Sequence, residues 1–174
     1  MLDTFKSIDY LAKGNDIQKK AYCCIVDLRI FEILKQFNPL LAGTIPININ
    51  IENSDLDIIC ECSNTDLFYQ FLTDNFSSHS SFCISRQTVR NVDSVIASFE
   101  SNGFCIEIFG QNCPSHLQNA YLHLLAENKV LQEKGEAFRQ EIISLKLLGY
   151  KTEPAFAKAL HLNGDPYDAI LKLL

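Results

Sequence analysis

Apolar residues recur at helical spacing over the first quarter of the chain, at strand spacing through its middle, and at helical spacing again to its end. Phe5, Ile8 and Leu11 share one face of a short helix expected over residues 3–12. Asn15 or Asp16 caps a second, running to about Phe37 with Ala21, Cys24, Leu28, Phe31 and Leu34 in register, and Asn38-Pro39 stops it. Strands are expected over 40–45 and 55–62. Between them residues 46–51 alternate apolar and polar, either a short edge strand or an extended connector. Asn64-Thr65-Asp66 caps a helix to about Phe76 that would cover the sheet. Two more strands follow, Phe82 to Arg86 and Val92 to Phe99, and Asn102-Gly103 turns the chain into a fifth, Phe104 to Phe109.

Beyond Gly110-Gln111-Asn112-Cys113-Pro114 no strand pattern remains. Ser115 and Gln118 fit a capping box for a helix to about Lys134. Residues 136–148 form the next helix, stopped by Gly149. A third runs from Lys151-Thr152 to about Leu160, and Asp165-Pro166 starts a fourth. The pattern therefore gives an α+β fold: a small mixed or antiparallel sheet with helices on one side in residues 1–113, and a helical C-terminal part, 114–174, packed on that core.

Composition narrows the class. A chain of 174 residues that is 47% hydrophobic and 21% charged suits one globular core. It has no apolar run of the roughly 18 residues that a membrane span needs. Its start, Met1 to Lys6, lacks a basic-then-apolar leader, so a cytoplasmic protein is expected. Seven cysteines without a C-x-x-C pair read as reduced thiols, not a disulfide framework or zinc site. A net charge of −6 with no basic stripe argues against a nucleic-acid partner and for a small-molecule one.

The chemistry-bearing stretch is Gly43 to Glu61. Asp55 and Asp57 stand two residues apart on an expected strand, ~6.5–7 Å apart on one face, while Leu56 and Ile58 face the core. Two readings fit: a solvated strand end with two exposed carboxylates, or a pair whose repulsion a divalent cation such as Mg²⁺ or Mn²⁺ relieves. Gly43-Thr44 ends an apolar run where a phosphate could meet exposed N–H groups and a hydroxyl. Glu107, in an otherwise apolar strand, needs a partner: a shared metal, or a Lys or Arg.

Gly43-Thr44, ten residues, then Asp55-Leu56-Asp57-Ile58, with Glu107 on a later strand, resembles the signature of the nucleotidyltransferase superfamily. The wider chain resembles a small bacterial family of unknown function within it. The resembling segments are Gly43 to Ile47, Ser54 to Glu61, Glu107 to Gln111, Gln118 to Tyr121 and Lys151 to Phe156. Thr44 stands where the superfamily has Ser or Gly; the hydroxyl survives on a stiffer side chain. The resemblance implies Asp55, Asp57 and Glu107 as catalytic and metal-binding residues, and Gly43, Thr44 and Ser54 as nucleotide-binding residues. It also implies Mg²⁺ (or Mn²⁺), a nucleoside triphosphate as substrate, and transfer of a nucleoside monophosphate to a small-molecule hydroxyl. The alternatives are a catalytically inactive nucleotide-binding or regulatory module, and an interaction domain whose carboxylates are structural.

Other polar residues have two readings each. Lys19-Lys20 is a solvated first turn or a phosphate contact. His79 lies in a serine-rich loop with nothing to orient it. His116, Asn119 and His123 form either a polar helix stripe or a pocket wall, and Lys151 is a loop lysine or a reach toward a triphosphate.

Overall fold

The computed structural model describes residues 4–174; the start of the expected first helix, Asp3, and the Met1-Leu2 terminus lie outside the described residues. The regular elements are α1 (Asp16–Asp27), α2 (Ile30–Ile33), β1 (Leu40–Leu41), β2 (Leu56–Glu61), α3 (Thr65–Phe76), β3 (Ser80–Val89), β4 (Val92–Ser101), β5 (Phe104–Gln111), α4 (Asn119–Leu147), α5 (Thr152–Ala159) and α6 (Pro166–Leu171). The five strands lie in the order β1-β2-β5-β4-β3, and only the central β2–β5 pair is parallel. The mixed α+β architecture read from the sequence is the one found.

Side-chain alternation sorts the sheet into two faces. Leu56, Ile58 and Cys60 of β2 and Ile106 and Ile108 of β5 join Ala21, Cys24, Ile25, Phe68 and Leu72 in one core beneath α1 to α3. Gly110 belongs to that face: a Cβ there would lie 2.1 Å from the Phe68 ring, so its bare backbone is what lets α3 settle on β5. From the opposite face, Ile59 and the half-buried Phe109 join Tyr121, Leu124, Phe138, Ile142 and Phe156 in a second core made with α4 and α5. Asp57 and Glu107, odd-numbered like Ile59 and Phe109, share this second face.

Several local expectations change. The first helix is two 3-10 turns, Thr4–Lys6 and Asp9–Lys13. The helix expected to run to Phe37 breaks at Arg29, at φ 52°, and resumes so that Ile30 and Leu34 are fully buried. The first strand is only Leu40–Leu41, and residues 45–48 form a turn, not an edge strand or an extended connector. That turn is held from two sides. Gln18 Nε2 donates to the carbonyls of Ile45 (2.9 Å) and Pro46 (3.1 Å), while Lys146 Nζ donates to the carbonyl of Ile49 at 2.7 Å and Arg139 to that of Ile47. These buried carbonyls find side-chain donors in place of a strand neighbour.

Ser115 does not cap α4. Residues 115–117 form a 3-10 turn, and Gln118 gives its amide N–H groups to the carbonyls of Cys60 (2.8 Å) and Cys113 (2.9 Å), so it is unavailable for a capping box. β3 and β4 are longer than expected and meet at Arg90-Asn91, both at positive φ (49° and 65°), the requirement of a tight type I′ turn. The expected separation of two helices at residue 135 appears as a kink in α4 at Gly135 (φ 76°). From residue 115 onward every described element is helical.

Candidate active site

Asp57 sits directly opposite Glu107 in the parallel β2–β5 ladder. Neighbouring strands run ~4.8 Å apart, so the two carboxylates stand side by side on one face. Burial raises the Asp57 carboxyl to about 7, helped by the charges of Asp55 and Glu107 and opposed by Lys146. Burial, then Asp55, also raises Glu107. The three carboxylates thus act on one another electrostatically. No ion pair among the described residues holds Glu107, so the Lys or Arg partner allowed for in the sequence is absent there.

Gly43 follows the end of β1 at φ +74°, a conformation that favours glycine. A Cβ there would fall 1.9 Å from Asp57 Oδ2, so the carboxylate rests against the bare backbone of the Gly-Thr turn. Gly43, Thr44, Asp57 and Glu107 all line a cavity of about 630 Å³. Asp55, expected within the strand, precedes β2, is exposed and is not part of the lining. Ser54 also lies outside the lining; its hydroxyl accepts from the Ile51 N–H at 2.9 Å and closes the turn before β2.

The far wall comes from α4, the start of α5 and α6. Asn119, His123 and Glu127 project from α4 into the cavity, and Thr152, Glu153 and Tyr167 complete it. His123 is buried: Nδ1 lies 3.2 Å from Glu153 Oε1 and Nε2 lies 2.9 Å from the Tyr167 carbonyl oxygen. Burial pushes the Glu153 carboxyl up, but the hydrogen bond from His123 helps to hold it below its ordinary value. Of the histidine stripe, Asn119 and His123 reach the wall while His116 is exposed outside it. Lys151 is exposed at the N-terminus of α5, outside the lining. His79 stacks on Phe99 at 4.6 Å between centroids, away from the cavity.

Sequence inspection missed Arg90, Glu127 and Lys146. Arg90 reaches the cavity from the β3–β4 turn, bonds Asp168 at 3.1 Å and, with the Asn119 carboxamide oxygen turned toward it, donates to that oxygen at 3.3 Å. Lys146 is a buried cation whose pKa burial lowers, against the opposing influence of Glu127 and Asp57. Each is a polar residue on an otherwise apolar helix face or beside a turn, a signal that marks burial without naming a partner.

Three or more His, Cys, Asp or Glu side chains are nowhere gathered as a metal-ligand group among the described residues. The donor chemistry nonetheless suits a hard divalent cation: carboxylate oxygens side by side on one face, with no ion pair from the described residues to neutralise Glu107.

This mixed α+β arrangement is a nucleotidyltransferase-like fold, shared with solved structures. A Cid1 structure described for its RNA terminal uridylyl transferase activity superposes with a TM-score of 0.58 at 11% identity, over 88% of this chain and 52% of that one. The Cid1 poly(U) polymerase with MgGTP bound gives 0.58 at 13% identity, over 91% and 57%. The GLD-2/RNP-8 complex gives 0.53 at 13% identity, over 87% and 60%. The chain thus spans between about half and three fifths of the length of these structures. The chain belongs to the family described as Domain of unknown function (DUF4269), which matches residues 24–173. No curated protein matches it.

Proposed function

We propose that the protein is a metal-dependent nucleotidyltransferase that moves a nucleoside monophosphate from a nucleoside triphosphate to the hydroxyl of a small molecule. The observation that carries this is the Asp57–Glu107 pairing, set against the open backbone of Gly43 at the mouth of one cavity. Asp55, Asp57 and Glu107 would hold Mg²⁺ or Mn²⁺, which supplies charge neutralisation for the attacking and leaving oxygens. Gly43 and Thr44 receive the phosphates through backbone N–H and hydroxyl, with Ser54 shaping the approach to β2. A carboxylate of the trio takes the proton of the acceptor hydroxyl. That oxygen then forms the new phosphoester bond as the α–β anhydride bond breaks and pyrophosphate leaves.

Residues 1–113 carry the chemistry on this view, and residues 114–174 wall the acceptor side. A small acceptor is favoured because a net charge of −6 opposes a long nucleic-acid chain with its many phosphates, whereas the metal held by the trio would offset the charge of a single triphosphate. All seven cysteines are free thiols, which suits a reducing, cytoplasmic setting. Among the described residues no helix is long and apolar enough to cross a membrane.

Purified protein with Mg²⁺ and labelled triphosphates should bind them and lose that binding on Asp57→Ala. Absence of binding in the wild type ends the proposal. A second reading, a nucleotide-binding module without turnover, draws support from Thr44 and from the lack of a gathered metal-ligand set among the described residues. Triphosphate binding that stays silent across a broad acceptor panel would favour it.

A further inference from the structure

Glu127 takes no part in the chemistry proposed above. It lines the cavity from α4, yet only 4% of it is exposed, and among the described residues it accepts no hydrogen bond and joins no ion pair. The ammonium of Lys146, which acts on it electrostatically, donates to the Ile49 carbonyl at 2.7 Å and forms no ion pair with Glu127 among the described residues. Glu153, the other carboxylate on this wall, is engaged by His123 at 3.2 Å. A buried carboxylate without a donor is costly, so Glu127 is suited to a ligand in the cavity that supplies one.

A second unanswered group lies in the same wall. Gln118 lines the cavity and is buried; both bonds of its Nε2 go to the Cys60 and Cys113 carbonyls, while its Oε1 has no partner. Both unanswered groups are acceptors. Arg90, the cation of the lining, is already taken by Asp168 and Asn119. Beyond the Asp57–Glu107 pair, Glu127 is thus the carboxyl of the lining that no described side chain answers, and at about 630 Å³ the cavity is of small-molecule size.

We propose that Glu127 is the counter-ion for a protonated amine on the small-molecule acceptor, making the substrate a hydroxylated amine and not a neutral sugar. The identification of this ligand as the acceptor rests on the transferase reading above; the amine subsite itself does not. An ammonium donates up to three hydrogen bonds, and a charge-assisted bond to a desolvated carboxylate is among the strongest available. The net charge of −6 favours the approach of such a ligand.

The test is titration calorimetry of the full chain, without metal or nucleotide, using glucosamine against glucose and spermidine against glycerol. The amines should bind at least about tenfold more tightly than the uncharged compounds, the scale of one charge-assisted hydrogen bond. Glu127→Gln, which keeps size and cannot ionise against an ammonium, should erase the difference. Thermal melts follow the same ligands as a second measurement, the amines raising the wild-type midpoint and not that of the variant. Equal binding of charged and uncharged probes, or selectivity that survives Glu127→Gln, overturns the subsite, as does failure of both amines to bind. Triphosphate binding is measured separately on the wild type. Amine selectivity without triphosphate binding sinks the transferase and leaves the subsite standing; triphosphate binding without amine selectivity does the reverse.

Discussion

Gly43 and Asp57 are in contact across the β1–β2 corner: a Cβ on the glycine would overlap Asp57 Oδ2 at 1.9 Å, and the neighbouring Ala42 N–H donates to the Asp57 carbonyl at 2.8 Å. The ten residues between Thr44 and Asp55 are the length of chain that turns at 45–48 and returns to lay β2 beside β1. Spacing, glycine and aspartate are parts of one geometry.

Gly43→Ala should therefore fail twice. The positive φ alone costs about 1–2 kcal/mol for an L-residue, and the added methyl displaces the carboxylate. Denaturant unfolding should show the loss of stability, and triphosphate binding should disappear. Unchanged binding would mean that the Gly-Thr turn does not hold phosphates.

Gly110→Ala is the control on the other face. Its methyl meets the Phe68 ring at 2.1 Å, an overpacking that costs about 1–3 kcal/mol. The protein should melt lower yet keep its ligand binding while folded. Loss of binding at temperatures where circular dichroism reports native protein would show that the two faces are coupled.

A bound divalent cation should stabilise the fold by mass action, by about 2.7 kcal/mol at about a hundredfold excess over Kd. Without metal, Asp57→Asn should melt at or above the wild type, because it removes one of two adjacent like charges on β2 and β5. With Mg²⁺ the order should invert. Parallel melting curves for the two proteins, with and without Mg²⁺, would leave the carboxylates as structural groups only.

Glu127 gives a pH dependence whose sign follows from burial. Its carboxyl is raised well above the ordinary value, first by desolvation and then by Glu153, with Lys146 opposing. The ligand-free folded state therefore holds a proton that the unfolded state has released, and that a bound ammonium would displace. The contribution to stability is greatest below the unfolded pKa and falls as pH rises toward the folded one. Glu127→Gln should flatten that fall, and the gain in melting temperature over the wild type should be larger at pH 8 than at pH 5. A constant difference across that range would mean Glu127 is ionised in the folded protein throughout.

Much of the site was legible because its determinants are local. The strand period alone places Asp57 on the face opposite Leu56 and Ile58, whichever strand lies alongside, whereas Asp55, expected on the same strand, precedes β2 and lies outside the cavity lining. Asn102-Gly103 announces a tight turn, found at φ 50° and 80°, and Asp165-Pro166 announces the start of α6. Local signals failed where tertiary partners competed for the same group. The Ser115–Gln118 cap was lost because Gln118 serves the carbonyls of Cys60 in β2 and Cys113 beyond β5, and the strand period of residues 46–51 yielded to a turn clamped by Gln18 and Lys146.

The sequence by itself determined the order of helices and strands, the acidic pair beside a Gly-Thr turn, and the membership that those motifs imply. Only the folded chain decided that β5 inserts parallel to β2, bringing Glu107 abreast of Asp57, and that Glu127 and Glu153 line the same cavity with Lys146 close enough to act on both electrostatically. The physical reason is range. Periodicity and capping act over a few residues, whereas strand pairing is set by which apolar faces bury together, and Glu107, Glu127 and Glu153 lie 50, 70 and 96 residues from Asp57 in sequence.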